Sequence, residues 1–238
     1  MATTTGTTNF NVNLNDVVEE AYARCGAELR TGYDLATARR SLNLLTIEWA
    51  NRGINLWTIE EGSVTLTSGT SEYNLPVDTI DLLDHVIRTG SGTNQQDLTI
   101  SRISVSTYAA IPNKNVTGRP IQVWVDRQSG ATSPSGVQNP KLHLYPTPDS
   151  STTYTFVYWR MRRIQDVGNG VNTQDIPFRL IPCMVAGLAY YLSLKIPEAV
   201  TRIDMLKMAY EEQWSFASGE DREKAAIRFV PREFYLGG

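Results

Sequence analysis

The chain has 238 residues, 41% of them hydrophobic and 20% charged, enough to bury a sizeable core as one large domain or two small ones and to exclude disorder of the whole. Lys and Arg number 22 against 25 Asp and Glu, a formal net charge of -3, so bulk electrostatics does not pull the protein onto nucleic acid. Two cysteines, Cys25 and Cys183, lie far apart inside predicted helices and read as buried thiols rather than a disulfide.

The opening, MATTTGTTNFNVN, is Thr-rich and has no basic region followed by an apolar one. It reads as a mobile arm, not a signal peptide, and suggests an intracellular or assembled-particle setting. Leu14, Val18, Tyr22, Cys25 and Leu29 then recur at steps of three or four, the period of an amphipathic helix, with Asn13 or Asn15 as candidate cap. Leu35, Ala38, Leu42, Leu45 and Trp49 repeat the pattern, with Asp34 near the start and Gly53 at the stop. Two antiparallel helices joined by the short RTG are expected.

From Ile54 the period changes to two, as in strands. Val64 and Leu66 are expected to face Tyr73 and Leu75 in a hairpin across Ser68-Gly69-Thr70. The segments IQVWV and TYTFVYW alternate, and RQSGATSPSGVQN, with Arg127 its one charge, reads as a long hairpin arm. In Tyr145-Pro146-Thr147-Pro148-Asp149 the prolines lack the N–H a central ladder needs, so the motif is expected to be a hairpin corner or a contact loop for a partner.

Beyond Asn169-Gly170 helices return. Leu180 to Ile196 carries one charge, Lys195, and is expected to be enclosed on most sides, with Pro177 and Pro182 on its approach or first turn. Its apolar run CMVAGLAYYL falls short of the roughly 18 residues a membrane span needs. Pro197 restarts the chain into a helix with Ala199, Ile203, Leu206, Tyr210 and Trp214 on one face and Gly219 at its end.

Chemistry-bearing motifs are scarce. His85 and His143 have no metal-ligand spacing, and RTGSGTNQQD lacks the Lys-Ser/Thr and the helix of a phosphate loop. No catalytic, cofactor-binding or metal residue is assigned. The acids Glu60-Glu61, Asp81, Asp84 and Glu211-Glu212 are expected to be solvated, because neighbours on a strand point to opposite faces and on a helix diverge by about 100°. Trp124 and Trp159 read as core or interface aromatics, with sugar stacking the lesser reading. Arg160, Arg162 and Arg163 form the densest basic group; acids on a neighbouring subunit, or solvent, are their expected partners ahead of phosphate.

The strings ATARRSLNLLTIEWANRGINLWTIEEG, GRPIQVWV with LHLYPTPD, DIPFRLIPCMVAGLAYYLSLKIP, and a charged tail beginning EDREKA occur in that order. In this order the chain resembles the head-to-tail adaptors of short-tailed phages, also called tail tubular protein A. The resemblance spans nearly the whole chain from Asn15; the Thr-rich start and the QSGATSPSG arm do not map onto it. It implies an α+β protein in which N- and C-terminal helix pairs form a bundle carrying an inserted antiparallel β-sandwich or barrel-like domain.

The expected boundaries are 1–53 for the arm and first helix pair, 54–168 for the β domain, 169–219 for the second pair and 220–238 for an extended tail. The resemblance further implies a non-enzymatic structural virion protein in the neck or tail, passing through the host cytoplasm during assembly. There it forms a twelvefold ring joining portal to tail nozzle, needs no cofactor, touches duplex DNA only passively and meets no membrane. The alternative is a monomeric tail-associated protein that binds or degrades glycans. Tyr145, Pro146, Pro148, Arg160 and Arg162 are candidates for subunit or nozzle contact. In the tail, Arg222, Ile227, Phe229, Pro231, Phe234, Tyr235 and Leu236 are candidates for the portal, since apolar anchors spread along an extended chain suit grooves of a partner better than a core of their own.

Overall fold

The computed structural model describes residues 6, 12–30, 32–53, 56–133, 136–166, 168 and 174–222. The chain divides into a helical unit, residues 1–45, 169–173 and 177–238, and a sheet unit, residues 46–168 and 174–176.

In the helical unit α1 spans Leu14–Cys25 and opens on a capping box, in which Asn13 Oδ1 accepts from the Asp16 N–H at 3.0 Å and Asp16 Oδ2 from the Asn13 N–H at 3.2 Å. Two of the helix's orphan donors are thereby satisfied. Gly26, at φ 77°, ends it in the left-handed region. The stop falls before Leu29, so the connection to α2, Gly32–Arg52, is longer than the expected RTG. A five-residue helix α3, Val105–Ala109, belongs to the sheet unit. α4 spans Ile181–Ser193 with Pro182 in its first turn, and α5 spans Ile203–Glu220, one residue past the Gly219 expected to end it.

The principal helix contacts of this unit run from α1 to α4 and from α4 to α5. As its composition requires, α4 is the hub, with Cys183 through Ala189, Leu192 and Ser193 all buried. Gly187 sets the closeness of approach: a Cβ there would lie 2.9 Å from Leu45 Cδ1, Leu45 Cδ2 and Tyr210 Cε2. Leu45 from α2 and Tyr210 from α5 therefore both seat on it. Cys25 Sγ donates to the Ala189 carbonyl at 3.3 Å, and both cysteines are buried thiols outside any disulfide.

The strands are β1 Ile59–Thr65, β2 Glu72–Asn74, β3 Thr79–Thr89, β4 Gln96–Thr99, β5 Ser101–Arg102, β6 Thr117–Gly118, β7 Gln122–Asp126, β8 Thr132–Ser133, β9 Gly136–Val137, β10 Lys141–Tyr145, β11 Thr147–Pro148 and β12 Thr155–Arg162. One four-stranded sheet runs β1-β12-β3-β4, wholly antiparallel, and a second runs β2-β10-β7-β5, parallel only at β5–β7. Neither closes into a barrel. The arm 127–139 does link the antiparallel partners β7 and β10, and carries the small β8–β9 ribbon.

The expected hairpin of β1 with β2 does not form. β1 pairs with β12 and β2 with β10, in different sheets. The turn at Gly69 exists, at φ 81°, but the chain uses it to change sheets. Tyr73 holds it, its hydroxyl accepting from the Thr67 N–H at 2.8 Å and lying 2.9 Å from the Thr70 carbonyl. Leu66 and Leu75 still share one core with Ile87, Val123, Leu144 and Phe156, drawn from both sheets. Each such side chain, when fully buried, stabilises by about 1.5–3 kcal/mol.

Candidate interaction site

The proline stretch joins the two sheets. β10 ends at Tyr145, the Tyr145–Pro146 peptide is cis, and β11 pairs parallel with β6 before the chain enters β12 of the other sheet. The expected hairpin corner is thus a crossover, because the missing N–H groups end one ladder and the chain finds its next partner elsewhere. Its polar groups are satisfied internally: the Thr147 N–H donates to the Val116 carbonyl at 2.9 Å, Thr147 Oγ1 to the Lys114 carbonyl at 3.1 Å, and Pro148 accepts from the Gly69 N–H at 2.9 Å. Asp149 Oδ1 accepts from the Ser151 hydroxyl at 2.6 Å and its N–H at 3.0 Å. The Ser151 hydroxyl, then its N–H, holds this carboxyl below its ordinary range. Tyr145 and Pro146 keep part of their surface, while Thr147 and Pro148 are buried.

Arg160 and Arg162 share one face of β12 and find carboxylates within the chain. Arg160 donates to Asp78 Oδ1 at 2.6 Å and to Glu60 Oε2 at 2.9 Å. Arg162 donates to Glu60 Oε1 at 2.6 Å and to Asp175 Oδ1 at 3.1 Å. Both guanidinium side chains are only 11% exposed, and at such burial a cation needs a partner. Burial, the largest single influence, would raise the Asp78 and Asp175 carboxyls, but arginine hydrogen bonds, backbone donors and the nearby positive charge together outweigh it and hold both below the usual range. The Asp175 hydrogen bond, opposed by burial, raises Arg162 above its own.

Glu60 is therefore a bridge between two arginines, not the solvated acid expected. Asp81 is likewise engaged, with Arg102 at 2.7 Å and Arg127 at 3.4 Å. Sequence reasoning missed Asp78 and Asp175 altogether. Asp78 precedes β3 and Asp175 stands in an irregular stretch, where no periodicity marks a side chain's direction. Arg163, the third of the basic group, donates to the Val77 carbonyl at 2.8 Å.

The aromatics resolve differently. Trp124 is half-buried, with His143 stacked at 4.5 Å and Tyr108 of α3 at 5.3 Å. His85 is buried and stacks on Phe156 at 5.7 Å, and among the described residues neither of its ring nitrogens has a partner in good hydrogen-bond geometry, the Ile100 backbone being the polar group it approaches. Burial holds its pKa below the ordinary value. Burial also pushes the Cys25 thiol up to about 11, which leaves it protonated and unreactive.

Among the described residues no group of His, Cys, Asp and Glu could hold a metal ion, and no helix is long and apolar enough to cross a membrane. Of the tail candidates Arg222 is described and exposed. Ile227, Phe229, Pro231, Phe234, Tyr235 and Leu236 lie outside the described residues, as does most of the Thr-rich start.

No curated protein matches the chain. The SU10 adaptor protein family matches residues 12–231, a span that takes in both units, the proline crossover and the arginine-carboxylate network. With nearly the full length matched, the chain belongs to the SU10 adaptor protein family, a family of phage head-to-tail adaptors.

Proposed function

We propose that the protein forms a ring, twelvefold by the resemblance, between the portal and the tail nozzle of a short-tailed phage, with genome DNA passing through its centre. Family membership carries this reading and makes the chain a structural adaptor of the virion neck or tail, with portal and tail partners. The ring assembles in the host cytoplasm. The near balance of charge, -3 in 238 residues, suits a wall along which a polyanion slides, since clustered Lys and Arg would bind and retain it.

Residues 220–238 dock onto the portal, with Arg222, Ile227, Phe229, Pro231, Phe234, Tyr235 and Leu236 as the contacts. In the sheet unit Tyr145 and Pro146 offer accessible surface to a neighbour or the nozzle. Pro148, buried in the crossover, and Arg160 and Arg162, engaged with carboxylates of their own chain, act in this reading by holding the sheet unit in shape rather than as contact surface. Catalysis plays no part in this role.

Electron microscopy of the full chain mixed with portal rings tests it. A ring of density capping the portal, lost on deleting residues 220–238 while the melting temperature of the free chain stays unchanged, is the expected result. Attachment at full strength without the tail, or unfolding of the truncated chain, would remove the docking assignment. Particles in which single copies scatter over the portal would overturn the ring.

A further inference from the structure

Among the described residues two exposed apolar stripes remain on the long helices, each on the side away from the face that packs inward. On α2 the buried face is Ala38, Leu42, Leu45 and Trp49, and the opposite side carries Tyr33, Ala36, Leu44 and Ile47. On α5 the buried face is Leu206, Tyr210 and Ala217, and the opposite side carries Met205, Met208 and Phe216. Met208 is 74% exposed and Tyr33 73%. A solvent-facing helix surface gains nothing from large apolar side chains at this spacing.

Each stripe has one charge at its centre. On α2 it is Arg40, whose guanidinium bonds only the Thr37 hydroxyl, at 3.3 Å, among the described residues. On α5 it is Glu212, exposed and without an ion partner among the described residues. The charges are opposite in sign, and the stripes share one spacing. Ala36 and Tyr33 lie four and seven residues before Arg40, Leu44 and Ile47 four and seven after it; Met208 and Met205 lie four and seven before Glu212, Phe216 and Gly219 four and seven after it. Residues so spaced fall on one face of a helix with 3.6 residues per turn.

Laid antiparallel with Arg40 against Glu212, the stripes set aliphatic side chains against flexible methionines on one side of the charge pair and large against small on the other. Leu44 meets Met208 and Ile47 meets Met205. Ala36 faces the large Phe216, and Tyr33 faces Gly219. Large against small is how facing helices interdigitate, and antiparallel macrodipoles attract. A surface that fits a different surface of the same chain makes a heterologous contact, the kind that closes into a ring.

We infer that α2 of one subunit packs antiparallel on α5 of the next, with Arg40 of one copy paired to Glu212 of its neighbour. The inference rests on the ring reading above and names the helices that join its subunits. Enclosed by apolar neighbours, such a pair fixes register and partner more than it adds affinity.

The test is the sedimentation of full-length chain, alone and with portal rings, for wild type, Arg40→Glu, Glu212→Arg and the double reversal. Each single reversal should weaken self-association by roughly tenfold or more, because like charges then face each other in the contact, and the double reversal should restore it. Oxidation of Leu44→Cys with Met208→Cys should link neighbouring copies, whereas Leu44→Cys with Phe216→Cys, the parallel register, should not. Rings that tolerate every reversal would overturn this contact and leave the ring standing. Single reversals that lower the melting temperature of the free chain without changing assembly would mean that the stripes are covered within the chain, by residues beyond 222 for instance, and would also overturn it. Wild type that never assembles, alone or on portal, would sink the ring itself.

Discussion

The helical unit and the sheet unit hold their polar groups by opposite means. In the helical unit the main backbone ladders close within each helix, scattered side-chain bonds such as Cys25 Sγ to the Ala189 carbonyl tie one helix to another, and cohesion comes chiefly from apolar faces meeting at Gly187 on α4. The sheet unit is assembled from strands far apart in sequence. Beneath its ladders it carries a charged lattice in which Arg160 and Glu60, one hundred residues apart, are hydrogen-bonded. A helix satisfies itself and needs only packing, whereas a sheet needs partners and, at its ends, further ties.

Truncating an enclosed side chain in each unit is the largest test of that difference. Phe156→Ala in the sheet core should cost about 3–5 kcal/mol and Leu188→Ala in α4 about 2–5 kcal/mol, both being fully buried. Urea titration followed by near- and far-UV circular dichroism should show the first acting on the sheet signal and the second on the helix signal. Equal losses of both signals in both variants would mean that the units do not melt apart.

The charged lattice comes next. Arg162→Ala should cost about 2–3 kcal/mol, less than the roughly 3–5 of a fully enclosed pair, because water still reaches part of Glu60; its side chain is 43% exposed. Arg162→Lys should recover only part of this, since an ammonium cannot span Glu60 and Asp175 as the guanidinium does. An alanine variant as stable as wild type would show that the lattice only sets geometry.

A smaller effect probes the helical side. Asn13→Ala removes the capping box and should lower stability by about 1 kcal/mol, whereas Asn13→Asp should preserve it. Loss confined to α1, read by amide exchange of Val17 and Val18, would sharpen the view that each helix satisfies its own ends.

The smallest effect is in pH. The pKa of His85 is held below 6.5 in the folded chain, so the unfolded chain takes up the proton first, and stability falls as pH drops from about 6.5 towards the folded value. His143, also depressed by burial, adds to the same window. His85→Leu should therefore flatten part of that slope and leave the rest. The depressed carboxyls Asp78 and Asp175 act lower: their stabilisation is present above the ordinary carboxyl range and is lost as pH falls through their folded values. Arg162→Ala should weaken that acid transition and leave the histidine window alone.

How far the sequence could be read differs between the same two units. The faces of α1, α2, α4 and α5 were legible, because a period near 3.6 ties each residue to a direction. The alternation of β7 and β12 was legible for the same reason. Unreadable were the partner of each strand and the ties beneath them. Val64 and Tyr73 alternate correctly whether β1 and β2 pair with each other or part to separate sheets. Glu60 looks solvated until β12 is set beside β1.

By itself, then, the sequence determined the four long helices and their inward faces, the alternation of β7 and β12, the order of helical and strand regions, and, through the ordered strings that mark the family, the role of a phage adaptor; β3, the longest strand, and the short α3 went unread. Only the tertiary structure decided that the proline stretch is a crossover between sheets, that Arg160 and Arg162 are bound up with Glu60, Asp78 and Asp175, and that, among the described residues, α2 and α5 leave large apolar side chains exposed away from their buried faces. The physical reason is range. Periodicity, caps and turns act over a few residues and are written locally, whereas strand pairing and ion pairs act between residues up to about a hundred apart, whose meeting depends on every chain reversal between them.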